Sequence, residues 1–124
     1  MKTVRGLKIA AMFPLAFMVV ILLIFAIGES VGGDLSGLMH LLPVVLVGLV
    51  AWLCWKRPLW GGILLLAGAI FEAVFFGLAF RGAGPGGVVS PIIIMILPLM
   101  VSGMLLLAAA WIGRKRSVLG YGTE

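Results

Sequence analysis

Groups that carry chemistry are scarce in this chain. Among its 124 residues are one cysteine, one histidine, one tyrosine and four acids. A lone cysteine, Cys54, excludes an internal disulfide, and its apolar neighbours predict a packed, unreactive thiol. Zinc sites, nucleophilic triads and deaminase centres need clusters of histidine, cysteine or carboxylate. One histidine and one cysteine, expected at opposite ends of the molecule, do not make such a cluster. Paired-carboxylate chemistry fails for a similar reason: Glu72 is the only acid inside an apolar run. The composition therefore argues against an enzyme and gives no cofactor or metal a set of ligands.

What fills the chain instead is hydrocarbon. Hydrophobic residues make up 64% and charged residues 10%, against roughly 45–50% and about 25% in soluble domains. A chain this short leaves much of its surface in water when folded, so a soluble fold has nowhere to hide so much apolar area. Lipid as the solvent removes the conflict. The net charge of +5 reads as a topology signal and as attraction to anionic lipid at the cytoplasmic face; nucleic acid is not an expected partner.

Four apolar runs, 9–27, 38–55, 59–80 and 91–113, divide a single domain covering 1–124. At about 1.5 Å per residue the shorter ones reach roughly 27 Å, close to the ~30 Å hydrocarbon core of a bilayer. None alternates as barrel strands do, and all exceed the length of such strands. Helices are the remaining way to satisfy every backbone group in lipid. The expected fold is an all-α membrane protein of four transmembrane helices in two antiparallel hairpins.

Orientation follows from charge. Lys2, Arg5 and Lys8 precede the first run, Lys56 and Arg57 join the second to the third, and Arg114, Lys115 and Arg116 follow the fourth. The other two connections carry Glu29, Asp34 and only Arg81. Eight of nine basic residues thus share one side, which the positive-inside rule makes cytoplasmic, with both termini there. Trp52, Trp55, Trp60 and Trp111 fall at the same boundary, where amphipathic rings prefer to sit. The first run also resembles a signal peptide, with Ala26-Ile27-Gly28 as a small-residue site. Its 19 apolar residues exceed the ~7–15 of such a peptide, so an uncleaved anchor is expected.

The Gly82–Gly87 segment spells G-x-G-x-x-G. That fingerprint binds dinucleotides only between a strand and a helix of a βαβ unit, and here it joins two apolar runs. A fainter pattern pairs Leu42-Pro43 and Gly48 with Leu97-Pro98 and Gly103, an echo that chance accounts for.

Glu72 is the informative residue. An acid at the centre of a span costs about 2.5–3.5 kcal/mol on insertion scales, and hydrocarbon favours its neutral form. Counting along the hairpin places it level with Pro43, with His40 about 4.5 Å further out. A His40–Glu72 hydrogen bond is within reach, and Ser102 is the other polar side chain available. Pro43 and Pro98 remove amide donors from their helices and are expected to kink them, freeing the Met39 and Ile94 carbonyls as further acceptors. Glu72 is then either a helix-locking hydrogen-bond donor or a proton- or cation-coupling acid. Ala69, Ala73 and Gly77 recur every four residues beside Gly68, a small-xxx-small face suited to close helix contact. Phe71, Phe75, Phe76 and Phe80 supply bulk in the outer half of the same helix.

The run His40-Leu41-Leu42-Pro43, followed by Trp55-Lys56-Arg57-Pro58 and Gly61-Gly62, resembles a group of short bacterial four-helix membrane proteins known as a domain of unknown function. The resemblance covers about a third of the chain and implies an integral membrane location without an assigned activity. Small multidrug transporters match in length and helix count, but their essential glutamate lies in the first helix, where this chain has no internal charge. Fluoride channels are of similar size, yet their polar pore residues and helix motif are absent here. The expected function is a small structural or accessory membrane protein, a homo-oligomer or a subunit of a membrane complex, associating through helix 3. The alternative is a small oligomeric proton- or cation-coupled transporter or channel using Glu72.

Overall fold

The computed structural model describes residues 2–79, 81, 82, 84, 85, 89 and 92–120. These residues are helical almost throughout, and no strand occurs among them. Helix α1 runs Lys2–Val31, a short 3-10 turn Leu35–His40 leads into α2 (Leu41–Lys56), α3 spans Pro58–Ala79, and a π-helical segment Ile92–Ile96 leads into α4 (Leu97–Val118). Four helices are long and apolar enough to cross a membrane, counting the two short turns with the helices they precede. Expected positions Phe80, Ala83, Gly86, Gly87 and Pro91 lie outside the described residues.

The helices outrun the apolar runs at both chain ends. Lys2, Arg5 and Lys8 continue α1, and Arg114, Lys115 and Arg116 continue α4. Charge at a helix end does not interrupt the backbone ladder, and long basic side chains reach water from there. Lys8 turns back instead, its Nζ donating to the Trp55 carbonyl at 3.2 Å and tying the start of α1 to the end of α2.

Helix α4 is the centre of the bundle. It packs most extensively on α3 and α1 and buries Leu99, Ser102, Gly103, Leu106 and Ala109. Leu15, Met18 and Leu22 of α1 and Leu65 and Ala69 of α3 complete the core. Helix α2 is peripheral, burying only Val47 and Cys54. The crossing of α3 and α4 is close enough that the Gly62 position faces the Gly103 carbonyl, with 3.0 Å to where a β-carbon would stand.

A single residue, Arg57, separates α2 from α3. Pro58 then opens α3, where its missing amide costs no helical bond. The Gly61 amide donates to the Arg57 carbonyl at 3.0 Å, and the bare Gly61 backbone sits directly on Cys54, which is wholly buried.

The two prolines expected to kink mid-helix sit at switches between helix types. Pro43 is the third residue of α2, after a 3-10 turn, and Pro98 is in the first turn of α4, after the π segment. Helical backbone precedes both prolines, so each missing amide still withdraws a bond from an upstream carbonyl, and the chain changes helical pitch just upstream of each. The proline that does stand inside a long helix is Pro14 of α1. Its missing amide withdraws the partner of the Ala10 carbonyl, and at the next carbonyl, Ala11, the Ser102 hydroxyl donates at 2.7 Å in a fully buried contact.

Candidate functional site around Glu72 and His40

Four elements converge at the end of the bundle opposite the eight clustered basic residues. Because α1 continues to Val31, Glu29 stands at the level of the 3-10 turn. Gly37 lets that turn lie on α1: a β-carbon there would be 2.8 Å from the Ala26 carbonyl oxygen and 2.9 Å from Glu29 Cβ. Asp34 caps the turn, accepting the Ser36 amide at 2.9 Å, and this hydrogen bond holds its carboxyl below the usual carboxylate range.

His40 closes the turn. Its ring stacks on Phe25 with centroids 6.1 Å apart. Its Nδ1 lies 3.4 Å from Glu29 Oε2, an ion pair when the imidazole is protonated, though it is not aligned as a hydrogen bond. The histidine therefore faces the acid of α1, and the expected His40–Glu72 bond is not formed. A continuous second α-helix would carry His40 toward α3; the 3-10 turn and the longer α1 redirect it.

Behind His40 opens a cavity of about 310 Å³, lined chiefly by Leu22, Phe25, Pro43, Phe76 and Met95. Glu72 lies one turn of α3 below Phe76, about 6 Å toward the basic end and on the same helix face. Its side chain is half-buried. One carboxyl oxygen, Oε2, is shielded and has no hydrogen-bond partner among the described residues. Ser102, the other candidate companion, is committed to Ala11 of α1.

The small-residue face divides in two. Ala69 is buried within the chain and Gly68 half-buried, whereas Ala73 and Gly77 are exposed. From Ile70 to Ala79, α3 contributes no buried residue. Phe71, Phe75 and Phe76 run along this segment in ring contact, at 6.3 Å and 5.6 Å between successive centroids. The glycines that bring helices together inside the chain are Gly61, Gly62 and Gly103. A visible signal for them was the Gly61-Gly62 pair one turn beyond the hairpin, but a spacing rule of four selects Ala69, Ala73 and Gly77. Among the described residues no three His, Cys, Asp or Glu side chains assemble into a metal-binding group.

Neither the curated proteins nor the solved structures contain a significant match to this chain. Residues 2–118 match the family described as "Domain of unknown function (DUF7670)", and the chain belongs to that family.

Proposed function

We propose that this chain is a small multi-pass protein of the cell membrane, with both termini cytoplasmic, that acts as a structural or accessory subunit. It associates through the outer half of α3 with a second copy of itself or with a larger membrane complex. The observation that carries this reading is the combination on one segment of a carboxyl oxygen without a partner and an uncovered small-residue face, Ala73 and Gly77. In hydrocarbon, small residues let another backbone approach and polar side chains bond across the contact. Such a neighbour would draw the half-buried Glu72 carboxyl outward, by rotation of its side chain, to the partner it lacks within the chain.

Replacing Gly77 with Leu tests the contact. A β-carbon there meets nothing within 4 Å inside the chain, so the fold of the single copy should be unaffected. Native mass spectrometry after gentle detergent extraction should show the wild type as a homo-oligomer or with co-purifying subunits, and the Gly77→Leu protein as a single chain. A wild type that is always a single chain would count against the proposal.

The topology has its own test. Ser36 and Ser117 are both exposed, at opposite ends of the bundle. In a Cys54→Ala background, an impermeant thiol reagent applied to intact cells should label Ser36→Cys and spare Ser117→Cys. The reverse pattern would overturn the assignment.

A second reading draws on the cavity above Glu72. A half-buried acid below an open hollow, with His40 at its rim, is the arrangement a proton- or cation-coupled transporter would need.

A further inference from the structure

The basic end of the molecule carries a groove that packing does not explain. It lies between the start of α3 and the last turns of α4 and measures about 460 Å³. Arg57 and Arg114 stand on its rim, Trp60 and Trp111 form its sides, and Leu107 and Ala110 continue its lining. Both tryptophans are more than half exposed, at 56% and 66%. Among the described residues neither guanidinium has an ion-pair or hydrogen-bond partner. Lys115 lies over the Trp111 ring, its Nζ 5.4 Å from the centroid.

We infer that this groove is a binding site for an anionic phospholipid, with Arg57 and Arg114 holding the phosphate headgroup and the apolar wall of Leu107, Ala110 and the indoles receiving the glycerol and upper acyl chain. The inference rests on the membrane reading proposed above. Charge selects the headgroup: eight of the nine basic residues share this end, while Glu29, Asp34 and Glu72 lie elsewhere and Glu124 is outside the described residues. Guanidinium forks match phosphate geometry and bind it through two donors at once. Tryptophan at this depth marks the headgroup layer, where one edge of the ring meets lipid and the other water. A free anion would use the arginines but would have no use for the apolar wall, and that distinguishes a lipid from soluble phosphate.

The test uses the full chain reconstituted in phosphatidylcholine vesicles with or without phosphatidylglycerol. Bromine on the phosphatidylglycerol chains should quench tryptophan fluorescence more strongly than the same label on phosphatidylcholine. The Arg57→Gln, Arg114→Gln double variant should lose this preference by roughly 30-fold in apparent affinity, at about 1 kcal/mol for each of the two basic contacts. A Lys2→Gln, Arg5→Gln variant removes equal charge from the same end and should keep the preference. Equal loss in both variants would mean that diffuse charge, not a site, attracts the lipid, and would overturn the inference. Displacement of the lipid by inorganic phosphate would overturn it in favour of a soluble anion. An alkaline carbonate wash separates the two readings. Protein that stays with the vesicles but shows no lipid preference refutes the site, whereas protein released by the wash refutes the membrane reading itself.

Discussion

Adding one methyl group at Gly61 should destabilise the bundle by a net ~1–2 kcal/mol. The β-carbon would overlap Cys54 Sγ and stand 2.6 Å from the Cys54 Cα and 2.9 Å from its Cβ. Two of these three atoms cannot rotate away, since the Cα belongs to the α2 backbone and the Cβ is fixed to it. Relief therefore requires moving α2 relative to α3, and a one-residue linker at Arg57 leaves little freedom for that. Overpacking of a well-filled contact costs about 1–3 kcal/mol, and the better helix propensity of alanine returns up to ~1 kcal/mol. Gly48 supplies the control: a β-carbon there meets nothing within 4 Å, so Gly48→Ala should be neutral or slightly stabilising. Thermal unfolding in a mild detergent reads both. The chemistry of the clash gives a second check. Cys54→Ala removes the sulfur but leaves Cα and Cβ in place, so it should rescue Gly61→Ala only in part. Full rescue would mean that the thiol alone sets the contact, and an unchanged Gly61→Ala would mean that α2 and α3 do not pack as described.

Much of this arrangement is legible in the residues. Four apolar runs, the charge segregation and the Lys56-Arg57-Pro58 turn lead directly to four helices with a tight link between the second and third. Composition cannot resolve where a helix changes pitch. The 3-10 turn and the π segment lie just upstream of Pro43 and Pro98, which the pattern places in mid-run and the structure places in the first turns of α2 and α4. That shift redirects His40 to Glu29. Nor does a linear reading say which small residues meet. Gly62 and Gly103 come together because α3 and α4 cross there, a property of two helices at once, while Ala73 and Gly77 satisfy the same spacing rule and remain outside. Ser102 was legible as a polar group in a span, but its partner was not. Pro14 is the sequence mark of that partner, since it opens the ladder of α1 one residue from Ala11.

Glu72→Leu should make the isolated chain more stable and its association weaker, opposite effects from one substitution. Within the single chain the carboxyl has a shielded oxygen with no hydrogen-bond partner among the described residues. A desolvated, unsatisfied polar group costs about 1–3 kcal/mol, and leucine removes that cost while keeping apolar volume. Thermal unfolding of the single-chain form in detergent should therefore shift upward. Between chains the sign reverses, because the carboxyl is the group proposed to bond across the α3 contact. Hydrogen bonds between helices in lipid average about 0.6 kcal/mol and reach ~1.7 kcal/mol, so the dissociation constant should rise roughly 3-fold to 20-fold. Energy transfer between labelled copies in vesicles measures this. Glu72→Gln retains a donor and an acceptor, and should leave both stability and association near wild type. The same two variants decide the transport reading. Glutamine cannot exchange a proton, so in vesicles holding a pH dye under an imposed gradient, proton movement by the wild type that disappears in Glu72→Gln would replace the accessory proposal with coupled transport. No gain in stability for Glu72→Leu would show instead that the carboxyl already has a partner inside its own chain, and the case for association through α3 would fall with it.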